Sequence, residues 1–250
     1  ILECEFDGAY SPLMELDYGR GRMMLCLLDL DGRTGDEPAA NRLARAVVRY
    51  ARTAPLHPRA ERVVLLGKAP AWLDLPDLKM GNATSLPVVA DLVIVASDAV
   101  VDESVLRAVA ERGGNVVFLP RRIATAPLGL SMEQRTIAGS LDVPDWNIAD
   151  GLSPSDLRWR TETTGWLASG GATIGAGGQI AMRRVGKGLV VWLQLDPDRF
   201  DADRQTYFRF TRWRQTRAVA QVLANLGATF RADANALVTA PGKTDSMPRF

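Results

Sequence analysis

From residue 62 onward, apolar residues come either as short unbroken runs or at helical spacing, and the two kinds alternate. Leu92-Val93-Ile94-Val95-Ala96 is unbroken, the pattern of a strand covered on both faces. Asp102 then stands where a helix is capped, with Val105, Leu106 and Val109 on one stripe, Val101 placed to staple onto Leu106, and Gly113-Gly114 as the stop. Asn115-Val116-Val117-Phe118-Leu119 is a second unbroken run, so the segment predicts a right-handed strand, helix, parallel-strand crossover. Residues 62–66 predict an earlier strand of that sheet, and 157–162, 179–185 and 189–195 have the pattern of further strands. A helix over 203–226 carries Val219, Val222, Leu223 and Leu226 on its inward stripe and ends at Gly227. Between 120 and 158 the regular pattern fails, with Pro127, Pro144 and Pro154 among scattered glycines. That stretch is expected to be a long excursion over the sheet edge or a small subdomain.

One device occurs twice. Tyr18-Gly19-Arg20-Gly21-Arg22 runs into apolar residues 23–28 and stops at Asp29, and Val185-Gly186-Lys187-Gly188-Leu189 runs into 190–195 and stops at Asp196. Each reads as a hairpin whose Gly-basic-Gly turn uses glycine's access to positive φ. A polar spacer and an amphipathic helix follow each copy, over 42–51 and 215–226. A strand, turn, strand, helix unit is therefore expected to close two successive domains, with the first copy arriving too early for a complete one. The expected organisation is the C-terminal part of a truncated domain over 1–54, a linker over 55–60, a second domain over 61–230, and a linker or tail over 231–250. The opening Ile-Leu-Glu-Cys-Glu shows no targeting pattern and reads as the start of a fragment of a longer protein. The expected fold class is α/β: a doubly wound, mostly parallel sheet with an antiparallel edge hairpin, preceded by the C-terminal piece of a similar domain.

Composition narrows function more than fold. The 250 residues are 47% hydrophobic and 24% charged, enough for one full core and a partial one. With 30 Lys and Arg against 29 Asp and Glu, the chain has no field that would draw in nucleic acid or an anionic membrane. Neither partner is expected, and no apolar run approaches bilayer length. Cys4 and Cys26 sit in predicted strands of the first domain and are expected as buried free thiols, which leaves the redox compartment open. The lone histidine, His57, lies between Pro55 and Pro58 in the predicted linker. A Cys/His zinc cluster cannot be assembled, and a Ser-His-Asp or Cys-His arrangement would have to recruit that linker residue. No metal and no cofactor is expected.

The residues from Pro12 to Asp29, then Gly32-Arg33-Thr34 and the helix after Pro38, resemble the glutamine-amidotransferase-like modules near the carboxyl end of large bacterial β-galactosidase-like glycoside hydrolases. Phe208-Arg209-Phe210-Thr211-Arg212-Trp213-Arg214-Gln215-Thr216-Arg217, followed by Leu223-Ala224-Asn225-Leu226-Gly227, is similar to the closing helix of the next module in such proteins. The resemblance implies class I amidotransferase-like, flavodoxin-like domains. Their active relatives carry a cysteine at a strand-to-helix elbow, backed by a histidine. Here the strand ending at Leu119 leads into Pro120-Arg121-Arg122, without cysteine or serine, and the domain holds no histidine. The resemblance therefore implies a retained scaffold that packs on the catalytic barrel or on neighbouring subunits. The glycosidase carboxylates would lie upstream, and no residue of this chain is assigned to catalysis. The implied partners are an upstream catalytic domain of the same chain, a homo-oligomer, and carbohydrate. Localisation stays open, a secreted or periplasmic parent being one option.

Several residues invite sharper readings. Asp29 and Asp196 stand at equivalent strand ends, where α/β sheets bind ligands, but Asp31-Gly32 and Asp196-Pro197 are also turn pairs, and a turn cap is the expected role. Asp29, Asp31, Asp36 and Glu37 miss the spacing of a calcium loop. Gly170-Gly171, Gly175 and Gly177-Gly178 precede a strand pattern where a phosphate cradle needs a helix, so a hairpin or edge loop is expected. Trp146, Trp159 and Trp166 are candidate sugar-stacking residues, against the expectation of a hydrophobic cluster pinning the excursion down. Tyr207, Phe208, Phe210 and Trp213 alternate with arginines around a helix, which predicts one packed face and one arginine face seeking carboxylates. The leading expectation is a non-catalytic structural or assembly region of a larger glycoside hydrolase. The alternatives are a carbohydrate-binding module using the three tryptophans, and a hydrolase using a sheet-edge carboxylate, Asp29 or Asp196.

Overall fold

The computed structural model describes residues 2–4, 10–18, 21–53, 59–74, 81–82, 90–200 and 206–228. His57, the 231–250 tail and the Gly19-Arg20 turn lie outside them. The chain divides into two compact units, Ile1–His57 and Pro58–Phe250.

In the first unit, β1 (Leu2–Cys4), β2 (Tyr10–Tyr18) and β3 (Gly21–Cys26) form an antiparallel sheet in that order, followed by α1 (Pro38–Thr53). The hairpin pairs Tyr18 with Gly21, Glu15 with Met24 and Leu13 with Cys26, and β3 ends at Cys26, short of Asp29. Paired residues share a sheet face. Arg22 and Glu15 meet at 3.0 Å on that face, Tyr50 of α1 donates to Glu15 Oε2 at 2.8 Å, and Arg22 lies over the Tyr50 ring. Burial, then the Glu15 carboxylate, pushes the Tyr50 phenol above its ordinary value. Alternation sends Met23, Leu25 and Leu27 to the opposite face, where they are 41%, 38% and 78% exposed. Cys26 is exposed, against the expectation of a buried thiol, because nothing among the described residues covers the end of β3.

The second unit is built on a seven-stranded sheet. Its first strands are β4 (Val63–Leu66), β5 (Gly81–Asn82) and β6 (Leu92–Val95). Helix α2 (Glu103–Arg112) then leads to β7 (Asn115–Phe118). A second, three-stranded sheet takes β8 (Thr125–Ala126), β9 (Leu130–Gly139) and, after the single-turn α3 (Pro154–Leu157), β10 (Arg158–Gly170). The chain returns to the main sheet through β11 (Thr173–Gly175), β12 (Ile180–Val185) and β13 (Gly188–Leu193), and ends on α4 (Thr206–Asn225).

The main sheet runs β11-β12-β13-β7-β6-β4-β5. The five strands from β13 to β5 are parallel, and β12 and β11 add an antiparallel edge. The fold is mixed α/β with a largely parallel sheet. Its unbroken apolar runs are buried on both faces, as such strands require: β6 and residues 190–193 of β13 are fully enclosed. Helix α2 begins on the Asp102 cap, whose carboxylate accepts the Ser104 N–H at 2.9 Å, and stops where Gly113 turns left-handed at φ 111°.

Between 120 and 158 the structure corrects the sequence reading. A ten-residue strand, β9, lies inside the supposedly irregular stretch and pairs antiparallel with the thirteen residues of β10. Only Leu130 and Met132 of β9 are buried, and most of the rest of the strand is solvent-facing, so no sustained apolar alternation marks it.

Asp91 anchors the start of β6 by accepting from the Glu61 and Arg62 backbone N–H groups at 3.1 and 3.0 Å and from Arg62 Nη2 at 3.3 Å. Burial pushes its carboxyl up, but the Arg62 hydrogen bonds outweigh this and hold it below the ordinary value. A carboxyl lowered in the native state stabilises above its unfolded pKa of about 3.9, and that contribution is lost as pH falls through the native value. Urea midpoints of the native protein and Asp91→Asn are therefore expected to differ by a constant amount down to about pH 4 and to converge below it.

Candidate functional site

Strands β4, β6, β7 and β13 run parallel, so their carboxyl ends meet along one edge, where open α/β sheets place ligands. The segments that follow β7 and β13 there carry polar and charged side chains that the rest of the fold encloses.

After β7 come Pro120, Arg121 and Arg122. Arg121 is 7% exposed. Its backbone N–H donates to Gln194 Oε1 at 3.1 Å, its Nη1 donates to the Ala99 carbonyl at 3.0 Å, and its guanidinium lies over the Phe118 ring. Burial lowers the Arg121 pKa, opposed by the nearby Asp98 carboxylate. Among the described residues, Nε and Nη2 of Arg121 and Nε2 of Gln194 have no hydrogen-bond partner.

After β13 comes Asp196, 6% exposed. Its Oδ2 accepts from Arg122 Nη2 and from Arg199 Nε, each at 3.2 Å. Arg199 sits on the single 3₁₀ turn Pro197–Arg199 and donates from Nη1 to the Thr164 carbonyl of β10 at 3.3 Å. Gly165 makes that approach possible, since a Cβ there would stand 1.3 Å from Arg199 Nη1. Asp198 accepts from Trp72 Nε1 at 3.1 Å and from Arg212 Nη2 of α4 at 3.2 Å. Arg217, further along the helix, reaches Asp156 at 2.6 Å. The arginine face of α4 thus finds carboxylates, and the sheet edge is stitched to β10 and α4 by charge-assisted bonds.

This arrangement suits holding elements together. The elbow after β7 carries guanidinium groups, and the buried Asp196 carboxylate is shared by two arginines. Asp29, the repeat equivalent of Asp196, has a different environment: it is 72% exposed and pairs with Arg33 Nε at 2.7 Å. The two carboxylates belong to different units.

The tryptophans do not form an open row. Trp159 is 4% exposed and packs edge-to-face on Phe200. Trp146 and Trp166 are half-buried against the core. Trp146 and Pro144 stand against Gly175, beside a shallow depression of about 450 Å³ lined by Glu133, Arg135, Asp142 and Ser169. The glycine-rich segment runs from the end of β10 through β11 to β12, with Gly171, Gly177 and Gly178 at positive φ. Gln179 is fully buried behind it, donating to the Ala176 carbonyl at 3.1 Å, so the segment is an edge loop. Among the described residues no three His, Cys, Asp or Glu side chains cluster as metal ligands, and no helix is long and apolar enough to cross a membrane.

Sequence reasoning gave Arg121 no role beyond marking an elbow without a nucleophile, and passed over Gln194 and Arg199. Gln194 carried a signal, as the one polar residue inside the apolar run ending at Leu195.

No family model matches the chain, and no curated protein does. Among solved structures, an exo-β-1,4-mannosidase, Op5Man5 from Opitutaceae bacterium strain TAV5, aligns over 77% of this chain at 17% identity with a TM-score of 0.36. The alignment spans 39% of the mannosidase chain. A likeness of that size carries neither fold nor function across.

Proposed function

We propose that the chain is a non-catalytic structural or assembly region of a larger glycoside hydrolase of the β-galactosidase-like kind, made of the end of one amidotransferase-like domain and nearly all of a second. The observation that carries this reading is the sheet edge at Arg121 and Arg122. Where the active domains of the resembled family place a thiol nucleophile, this chain buries an arginine under Ala99 and Gln194 and ties its neighbour to Asp196. Two further features support it. Counted along the chain, the parallel strands stand in the order second, first, third, fourth, fifth, the order of flavodoxin-like sheets. The repeated hairpin also has the same register in both units, and a helix follows each copy.

The test is an activity and assembly assay. The 250-residue chain is expected to release no nitrophenol from aryl glycosides and no ammonia from glutamine. Deleting it from the longer protein is expected to shrink the sedimenting species while leaving turnover per catalytic domain within about twofold. Turnover by the isolated chain that disappears in Asp29→Asn or Asp196→Asn would establish the sheet-edge hydrolase instead. A carbohydrate-binding role has in its favour the polar depression at Gly175, which Trp146 packs against. Oligosaccharide titration that saturates in the native chain and vanishes in Trp146→Ala would establish that role.

A further inference from the structure

The two hairpins share one register, which allows a position-by-position comparison. Tyr18 pairs with Gly21 as Val185 pairs with Gly188, Leu16 with Met23 as Arg183 with Val190, and Met14 with Leu25 as Ala181 with Trp192. Met23, Met24 and Leu25 therefore correspond to Val190, Val191 and Trp192. In the second unit these three residues pair in parallel with Val116, Val117 and Phe118 of β7, and all are fully buried. Trp192 stacks on Phe118 at 5.8 Å and donates from Nε1 to the Pro127 carbonyl at 3.2 Å. In the first unit, β3 is the sheet edge among the described residues, and its outward face presents Met23 and Leu25 about two-fifths exposed and Leu27 mostly exposed. The run from Met23 to Leu28 is nevertheless unbroken apolar sequence, the composition of a strand covered on both faces, and α1 covers only one.

We propose that β3 is completed by a strand–helix unit from an upstream part of the same polypeptide, its strand parallel to Met23–Leu25 and its helix over Met23, Leu25 and Leu27. This rests on the reading of the chain as a region of a larger protein. Gly188 supports the occupant's identity: a Cβ there would stand 2.0 Å from the Gly114 carbonyl and 2.7 Å from that of Ala110, where α2 turns into β7. Gly21 holds the same register position, so the first hairpin keeps the clearance that such a helix-to-strand turn needs. A second copy of this chain fits less well. A two-fold axis would set β3 against itself antiparallel, whereas the repeat calls for a parallel neighbour, and a head-to-tail contact would leave open ends. An unpaired apolar edge is also an aggregation site that proteins cover.

The experiment compares hydrogen exchange in the 250-residue chain and in the native longer product of the same reading frame. The Met23, Met24 and Leu25 amides are expected to be protected at least about 100-fold more in the longer product, which also loses the binding of the apolar dye ANS. Leu25→Lys, at a half-exposed position, is expected to leave the melting temperature of the short chain within about 2 °C and to lower that of the longer product by more than about 5 °C. Equal protection in both, or a native product that begins at Ile1, overturns the proposal. So does a discrete dimer of the short chain that protects these amides and is dissolved by Leu25→Lys, because the occupant is then a second copy. Glycosidase activity is read separately on the longer product. Protection without activity sinks the proposed function and leaves this inference standing, and activity without protection does the reverse.

Discussion

Asp196→Ala lowers the stability of the 58–250 unit by about 3–5 kcal/mol, while Asp29→Ala changes stability by no more than about 0.5 kcal/mol. The two residues are equivalent in the repeat, and their surroundings decide the difference. Asp196 is buried between Arg122 and Arg199, and the Arg199 side chain is itself nearly enclosed. Removing the carboxylate strands a cation that has little access to water, and that penalty exceeds the worth of the pair. Asp29 and Arg33 are both open to solvent, where such pairs contribute little. Because the loss at Asp196 is mostly the stranded charge, adding Arg199→Met to Asp196→Ala is expected to recover more than half of it in urea titrations. Additive losses would show that Arg199 does not depend on Asp196. Full stability in Asp196→Ala, together with lost turnover of any substrate, would mark the carboxylate as a reactant.

The sequence was legible wherever structure is specified locally. The Asp102 cap, the Gly113 stop and the Gly186 turn need only their immediate neighbours, and each stands where the pattern predicts it. The buried strands β6, β7 and β13 were legible because an apolar run enclosed on both faces has no polar interruptions to confuse its period. Strand β9 was not: from Glu133 to Gly139 its side chains mostly meet water, and what holds it is the backbone ladder to β10, to which composition is indifferent. The carboxyl-edge network was illegible for another reason. Arg122 and Asp196 are 74 residues apart, and Trp72 and Asp198 are 126 apart. Such pairs are set by strand order, and one sequence fixes strand order only weakly. Asp29 and Asp196 look alike in sequence, yet one is a surface residue and the other the buried centre of an ion cluster.

Trp192→Ala is expected to cost the second unit about 3–5 kcal/mol, against about 1 kcal/mol or less for Leu25→Ala in the first. The positions are again equivalent in register, so the comparison isolates what covers a strand from what the strand is. Trp192 is fully enclosed, stacked on Phe118, crossed by the Arg183 guanidinium and bonded to the Pro127 carbonyl, which lies at the entry to β9. Truncation would open a cavity between the parallel sheet and the antiparallel one, and a cavity bounded by two sheets has little freedom to collapse. Leu25 is already 38% exposed, so its truncation removes little buried surface. All six tryptophans lie between positions 72 and 213, so their fluorescence reports the second unit alone, and the five that remain in Trp192→Ala can follow its unfolding. The unit is expected to unfold at a markedly lower urea midpoint with an unchanged slope. In the longer native product, the cost of Leu25→Ala should rise toward that of Trp192→Ala if a strand and helix cover β3. If the cost stays below about 1 kcal/mol there, the first sheet functions with one bare face.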